Sequence, residues 1–257
     1  MRTALTIAGS DSGAGAGIQA DLKTFAAHGI YGTSALTAIT AQNTLGVTAW
    51  EPVSTALVVA QIEAVVADIG ADAVKTGMLA NAAIVRAVAE AVRRLSLRNL
   101  VVDPVMIAKG GDRLLETQAV DAIRGELLPL ARVVTPNVPE AEVLSGITIG
   151  SLEDMREAGR RILALGPRVV LVKGGHLEGD EAIDIAVRAA GGETFRAERL
   201  STRHTHGTGC TLASAIAANL ALGLDEMDAI GRAKRYVTDA IRRAPGVGRG
   251  HGPLGHL

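Results

Sequence analysis

A single cysteine stands behind two glycines in the stretch His206-Gly207-Thr208-Gly209-Cys210-Thr211. Beyond it, Leu212, Ile216 and Leu220 fall on one face at helical spacing, which predicts a loop turning into a helix near Gly209. Gly207 and Gly209 allow positive φ and a close approach of backbone to a ligand. The first N–H groups of such a helix have no partner inside it and point outward at the positive end of the helix dipole. That arrangement stabilises an anion, above all a phosphoryl group. Cys210 sits in the same field, which is expected to favour its thiolate and make it available as a base or nucleophile. An isolated G-x-G-C is more often a plain loop ahead of a buried cysteine, so the rest of the chain must carry the argument.

Four later apolar runs share one feature. Ala71–Val74 ends at Lys75-Thr76-Gly77-Met78, and Leu100–Val102 ends at Asp103-Pro104-Val105-Met106. Arg132–Val134 ends at Thr135-Pro136-Asn137, with Glu140 just inside the next helix, and Val169–Val172 ends at Lys173-Gly174-Gly175-His176. Helical stretches lie between them, roughly Ala80–Leu95, Glu116–Leu127, Pro139–Leu144 and Leu152–Leu165. This alternation predicts an α/β fold with a parallel sheet covered on both faces, whose ligands bind beyond the carboxyl ends of the strands. The chain has only five lysines, so two of them at strand ends are informative.

The N-terminal run Thr3–Ala8 reads as a buried strand, followed by the glycine loop Gly9–Gly17 and a helix from Ile18 to His28. A dinucleotide fingerprint fails here, because the third glycine falls on Ile18 or Ala20 and no acidic residue follows Asp21 before Glu51. A P-loop fails as well, since no Gly-Lys dipeptide occurs in the chain. The loop instead suits a close backbone approach to a small substrate. Tyr31–Thr44 is expected as a strand ending in amides, where Gln42 can donate to and accept from a heteroaromatic ring. Gly46–Val53 reads as a strand, Ser54–Ile69 as a helix capped by Ser54, and Glu181–Val187 with Glu193–Arg199 as a hairpin joined at Gly191-Gly192. A last helix is expected over Asp225–Arg243, then an irregular glycine-rich tail from Gly246.

A chain of 257 residues, 48% hydrophobic, suits one large domain over 1–257. The net charge of -1, without a dense basic stretch, argues against a nucleic-acid partner. One cysteine fits a reducing compartment and leaves no internal disulfide. No signal peptide and no window of ~20 apolar residues is present, so a soluble cytoplasmic protein is expected. The histidines show no metal-ligand spacing, which disfavours zinc.

Taken together these motifs resemble the hydroxymethylpyrimidine/phosphomethylpyrimidine kinases of thiamin biosynthesis, within the ribokinase-like superfamily. The likeness runs nearly end to end: A-G-S-D-S-G-A-G-A-G-I-Q-A-D at 8–21, T-A-Q-N-T at 40–44, K-T-G-M at 75–78 and V-D-P-V-M at 102–106. It continues through T-P-N-x-x-E-A at 135–141, V-K-G-G-H at 172–176, H-G-T-G-C-T at 206–211 and G-H-G-P-L-G-H at 250–256. Ala14 departs from the family's usual glycine and is expected only to stiffen the loop slightly. At this length the chain is expected to lack the extra domain that some relatives carry.

The resemblance implies a three-layer α/β sandwich and ATP- and Mg2+-dependent phosphorylation of 4-amino-5-hydroxymethyl-2-methylpyrimidine, then of its monophosphate. It implies Cys210 as the base that deprotonates the attacking oxygen, and Gly207, Thr208 and Gly209 as the anion hole. Lys173 would neutralise phosphate charge, Asp103 and Glu140 would organise Mg2+, directly or through water, and Asn137 would lie near the phosphates. Gly9, Asp21, Gln42, Met78 and Val105 would surround the pyrimidine. A homodimer is expected. Pyridoxal kinase activity is the near alternative, because pyridoxal also carries a hydroxymethyl group on a nitrogen ring; a catalytically idle sensor is the distant one.

Overall fold

The computed structural model describes residues 1–106, 117–175 and 179–256. Glu116 and His176, named above as a helix start and a strand-end residue, lie outside the described residues. Among the described residues nine strands form one sheet: β1 (Thr3–Asp11), β2 (Tyr31–Asn43), β3 (Gly46–Pro52), β4 (Ala73–Thr76), β5 (Leu100–Val102), β6 (Val133–Val134), β7 (Val169–Lys173), β8 (Glu181–Arg188) and β9 (Gly191–Glu198). Their order is β3-β2-β1-β4-β5-β6-β7-β8-β9. The six strands β2, β1, β4, β5, β6 and β7 run parallel; β3 and β8 pair antiparallel with the two ends of this set, and β9 pairs antiparallel with β8. The central strands are apolar on both faces because both faces are covered, as the continuous runs at 100–102 and 169–172 require.

Among the described residues eight α-helices complete the layers: α1 (Gly17–Ala27), α2 (Thr55–Asp68), α3 (Ala82–Arg94), α4 (Thr117–Ala122), α5 (Val138–Ser145), α6 (Leu152–Leu163), α7 (Thr208–Ala221) and α8 (Glu226–Arg242). A π turn at Ile123–Leu127 and a 3-10 turn at Leu128–Leu130 extend α4. The α3 and α6 helices bury one stripe each, through Ile84, Val88 and Val92 and through Met155, Ala158 and Ile162. Each such buried Leu, Ile, Val or Met contributes roughly 1.5–3 kcal/mol. These residues belong to one core, on the face shared by α2 to α6, while Phe25, Leu212, Ile216, Ile230 and Val237 of α1, α7 and α8 build the other. Every residue of α7 from Thr211 to Ala221 is buried, and its many alanines let it lie close against the sheet.

Several boundaries differ from expectation, each for a local reason. The β1 strand runs on through Gly9 and Ser10 to Asp11, shifting register against β2 between Ala8 and Ser10. The β4 strand starts at Ala73 because the Asp72 carboxylate turns back to accept from the Thr3 amide at 2.9 Å. Lys75 is therefore inside a strand and wholly buried rather than at an exposed strand end. The hairpin turn falls on Ala189-Ala190, and Gly191 at φ 113° opens β9. Ser54 does cap α2, accepting from the Leu57 amide. The irregular tail is pinned: His251 N donates to Thr44 O at 2.8 Å, and His206 N donates to Gly252 O at 3.1 Å.

Candidate active site

The ends of β1, β5 and β7 and the start of α7 meet at one place. Gly207 caps α7 at φ 82°, a left-handed conformation in which a Cβ would collide with the Gly15 carbonyl. Only glycine fits there, and the glycine loop after β1 is thereby locked against the α7 entrance. Asp11 organises that loop from the inside. Its carboxylate, 3% exposed, accepts from the amides of Gly13 (2.8 Å), Gly15 (3.1 Å) and Ala16 (2.8 Å) and lies 2.8 Å from His206 Nε2. Burial alone would raise the Asp11 carboxyl, but His206 and the loop amides outweigh it and hold it below the usual carboxylate range. Ala14 sits at φ 59°, so its departure from glycine costs left-handed strain rather than mere stiffness.

Gly209 occupies the first turn of α7 beside a charged pair. A Cβ there would stand 3.1 Å from Lys173 Nζ and 3.7 Å from Asp103 Oδ2. Lys173 donates to Asp103 Oδ1 at 2.9 Å, and Thr135 Oγ1 donates to the same oxygen at 3.2 Å. The first-turn amides of α7 and the Lys173 ammonium thus bear on one small volume, which suits a transferring phosphoryl group. Gly207, Thr208, Gly209, Lys173 and Asp103 are brought together, the grouping that the resemblance implied.

Asn137 and Glu140 carry a structural duty at the same spot. Asn137 Oδ1 accepts from Glu140 N at 2.9 Å and Glu140 Oε2 accepts from Asn137 N at 2.8 Å, a capping box that starts α5. Lys173 N donates to Pro136 O at 2.8 Å, which sets this cap beside the end of β7. Burial pushes the Glu140 carboxyl up to about 7, with Asp103 adding to the rise and Lys173 opposing it. Burial would lower Lys173, but Asp103 and Glu140 hold it above the usual lysine value. Burial and Asp103 thus resist full ionisation of Glu140 beside a single ammonium, a cost that a cation would relieve. Among the described residues no three His, Cys, Asp or Glu side chains are grouped to hold a metal by themselves. Mg2+ ordinarily takes one or two carboxylates together with substrate phosphates and water, and Asp103 with Glu140 fits that demand.

Two expectations need correction. The expected thiolate at Cys210 is opposed by its surroundings: burial pushes the thiol up to about 11, Lys75 and the Gly17 amide pull it down, and Asp21 and Asp103 push it further up. Desolvation of a thiolate outweighs the helix dipole that the sequence pattern emphasises. Asp21, expected against the pyrimidine, is 0% exposed and spends its carboxylate on Thr6, Lys75 and Ser214. It lies beneath the site, not in its lining.

The remaining candidates are half-buried or buried near the strand ends. A Cβ on Gly9 would lie 3.6 Å from Met78 Sδ, so those two adjoin, and Val105 follows Asp103 in a tight turn. Gln42 accepts from Thr40 Oγ1 at 3.2 Å, and its amide nitrogen lies 3.3 Å from His206 Nε2. Asp11, His206 and Lys75 carry no role in the sequence reading. The D-x-G-x-G spacing after β1 is the signal that could have found Asp11, since a carboxylate followed by glycines gathers backbone amides; nothing local signals its pairing with His206.

The phosphomethylpyrimidine kinase family profile matches residues 11–255. The chain is 53% identical over 253 residues to the thiamine biosynthesis bifunctional protein ThiED of Geobacter sulfurreducens, covering 98% of this chain and about half, 52%, of that protein. It is 50% identical over 255 residues to the hydroxymethylpyrimidine/phosphomethylpyrimidine kinase of Synechococcus elongatus, covering 99% of this chain and 97% of the relative. The crystal structure of an ADP complex of Bacillus subtilis pyridoxal kinase superposes with a TM-score of 0.94 at 41% identity, covering 100% of this chain and 97% of that one. With a match of this extent, over a sheet order and an α7 entrance of this kind, the chain belongs to the phosphomethylpyrimidine kinase family.

Proposed function

We propose that this protein transfers the γ-phosphoryl group of ATP to the hydroxymethyl oxygen of 4-amino-5-hydroxymethyl-2-methylpyrimidine, and then phosphorylates the monophosphate, in a cytoplasmic thiamin pathway. The observation that carries this reading is the Lys173–Asp103 pair standing against Gly209 at the open start of α7. Phosphoryl transfer asks chiefly for positioning and charge neutralisation, and removal of one preorganised donor typically costs about 10²–10³-fold in rate. Lys173 and the amides of Gly207, Thr208 and Gly209 supply that neutralisation. Asp103 and Glu140 would hold Mg2+, which when bound screens the phosphate oxygens; Asn137 keeps Glu140 in place. Gly9, Gln42, Met78 and Val105 would surround the ring.

Cys210 is read as the group that accepts the hydroxymethyl proton. A thiol pushed up to about 11 is mostly protonated at neutral pH, yet its thiolate is a correspondingly stronger base toward an alcohol. The reactive fraction rises roughly tenfold per pH unit below that value, so kcat/KM is expected to climb between about pH 7 and 9. A flat profile removes Cys210 from the proton transfer.

The direct test measures ATP consumption with the pyrimidine alcohol, its monophosphate and pyridoxal side by side. Turnover of both pyrimidines is expected; turnover of pyridoxal alone would move the reading to pyridoxal kinase, which the 0.94 TM-score likeness keeps as the second reading. Cys210→Ser should lose at least ~10²-fold in both pyrimidine steps with little change in Tm. A variant that lost the first step and kept the second would separate the two into different sites. The homodimer belongs to the same reading, supported by the exposed Ile39, Leu45 and Trp50 about the β2–β3 edge.

A further inference from the structure

The end of β7 is gripped on both sides of Lys173. Its own amide donates to Pro136 O at 2.8 Å, just ahead of α5. The next amide, Gly174 N, donates at 3.0 Å to Asp184 Oδ1 of β8. Lys173 and Asp184 stand directly opposite each other in the antiparallel β7–β8 pair, so their side chains rise from the same face of the sheet. From there they part. Lys173 Nζ reaches Asp103 Oδ1 at 2.9 Å, whereas Asp184 Oδ2 accepts from Lys234 Nζ of α8 at 2.6 Å. Asp184 is 4% exposed. The backbone at Gly174 has little room to move, since a Cβ there would come within 2.0 Å of the Ile183 carbonyl oxygen.

Stability alone does not account for the Asp184–Lys234 pair. Desolvating two charges consumes most of their attraction, and apolar residues of similar volume commonly serve as well. An apolar residue could not, however, take the Gly174 N–H. Asp184 meets that N–H from β8 while Lys234 holds the other carboxylate oxygen from α8, so three elements converge on the one peptide bond that follows Lys173. That peptide is joined to the Cα whose side chain carries an ammonium to Gly209. A misplacement of about 1 Å at such a group can cost about 10²-fold in rate.

We propose that Asp184 is a positioning residue of the phosphoryl-transfer site: by holding the Gly174 amide it fixes the strand end from which Lys173 reaches the start of α7. This role rests on the one proposed for Lys173. Asp184 acts through the backbone and touches no substrate; Lys234 balances its charge and keeps the carboxylate turned toward Gly174.

The test is a double-mutant cycle on kcat, with ATP and the pyrimidine alcohol as substrates. Asp184→Ala removes the acceptor and should lower kcat by at least ~10-fold while raising KM for ATP far less. Asp184→Asn keeps an oxygen for the Gly174 amide and should stay within ~3-fold of the native rate. In a Lys173→Gln background Asp184→Ala should cost no more than ~2-fold further, because no ammonium is left to position. An Asp184 that served stability alone would multiply its loss onto that of Lys173→Gln. Such multiplication, equal losses in Asp184→Ala and Asp184→Asn, or native kcat in Asp184→Ala would each overturn the proposal. Should Asp184→Ala fail to fold by circular dichroism, Asp184→Leu combined with Lys234→Met removes both charges and keeps apolar volume. The same loss of kcat is expected in that folded variant, and native kcat there refutes the role. Native turnover in Lys173→Gln alone would strike the charge role of Lys173 and this proposal with it, a failure that the single variant tells apart from the others.

Discussion

Two lysine–aspartate pairs flank the start of α7, and they differ in one respect. Lys75–Asp21 is closed, with both side chains at 0% exposure, while Lys173–Asp103 keeps 14% of the lysine open toward the α7 entrance. In the closed pair every strong acceptor site of the carboxylate is taken by Thr6, Lys75 and Ser214. In the open pair Lys173 stands where an anion arriving at Gly209 would meet it. The same two residue types thus serve opposite ends: one pair holds a charge inside the protein, the other presents a charge to a ligand. The chemistry of the pair is the same; access to water and ligand decides what it does.

That contrast can be broken by removing each lysine. Lys75→Met leaves Asp21 buried and unpaired and should cost about 3–5 kcal/mol of stability, read as a large fall in Tm and in the urea midpoint. Lys173→Gln should cost clearly less stability, because that site is open and Thr135 still donates to Asp103. Its effect belongs in kcat, which should fall by at least ~10²-fold while KM for ATP rises far less. Equal losses of Tm in the two variants would erase the distinction between closed and open pairs. Unchanged turnover with weaker ATP binding would reduce Lys173 to a binding residue.

A smaller effect sharpens the comparison from the side of the glycine loop. The loop at 12–16 wraps around Asp11 and leads into Gly17, whose amide reaches Cys210, yet Ala14 holds a left-handed backbone at φ 59°. Ala14→Gly should therefore raise stability by about 1 kcal/mol, since a non-glycine residue there costs about that much. Melting temperature and kcat measured together check it. A gain in Tm with unchanged kcat places the strain outside the two pairs; a loss of stability would mean that the greater freedom of glycine in the unfolded chain outweighs the strain relieved.

Much of the architecture was legible before any coordinates. Alternating apolar runs and amphipathic stretches implied the parallel sheet, and the Ser54 cap was correct in its detail. G-T-G-C ahead of an alanine-rich run implied the α7 entrance, because glycine conformation and unpartnered helix amides are local properties of the chain. Asp103 and Lys173, apolar runs apart in sequence, could be grouped because parallel strands deliver their ends to one edge of the sheet. The end of β1 moved from Ala8 to Asp11, since pairing with β2 extended the strand, while α1 starts one residue earlier than expected, at Gly17.

What the sequence by itself determined was thus the list of parts: residue types, their order, and the periodicities that place them at strand ends and a helix start. Burial lay beyond it. Cys210 was expected to ionise easily because dipole and glycines are visible locally, while the desolvation that opposes ionisation comes from the packing of α1, β4 and α7 around it. Asp21 and Lys75 looked like a ligand contact and a strand-end residue, 54 positions apart, and only the folded chain closed them on each other away from water. Asp11 and His206 meet across 195 positions for the same reason. Solvent exclusion and the distance between charges are properties of the assembled layers, so it was the tertiary structure that decided which pair is a support and which is a site.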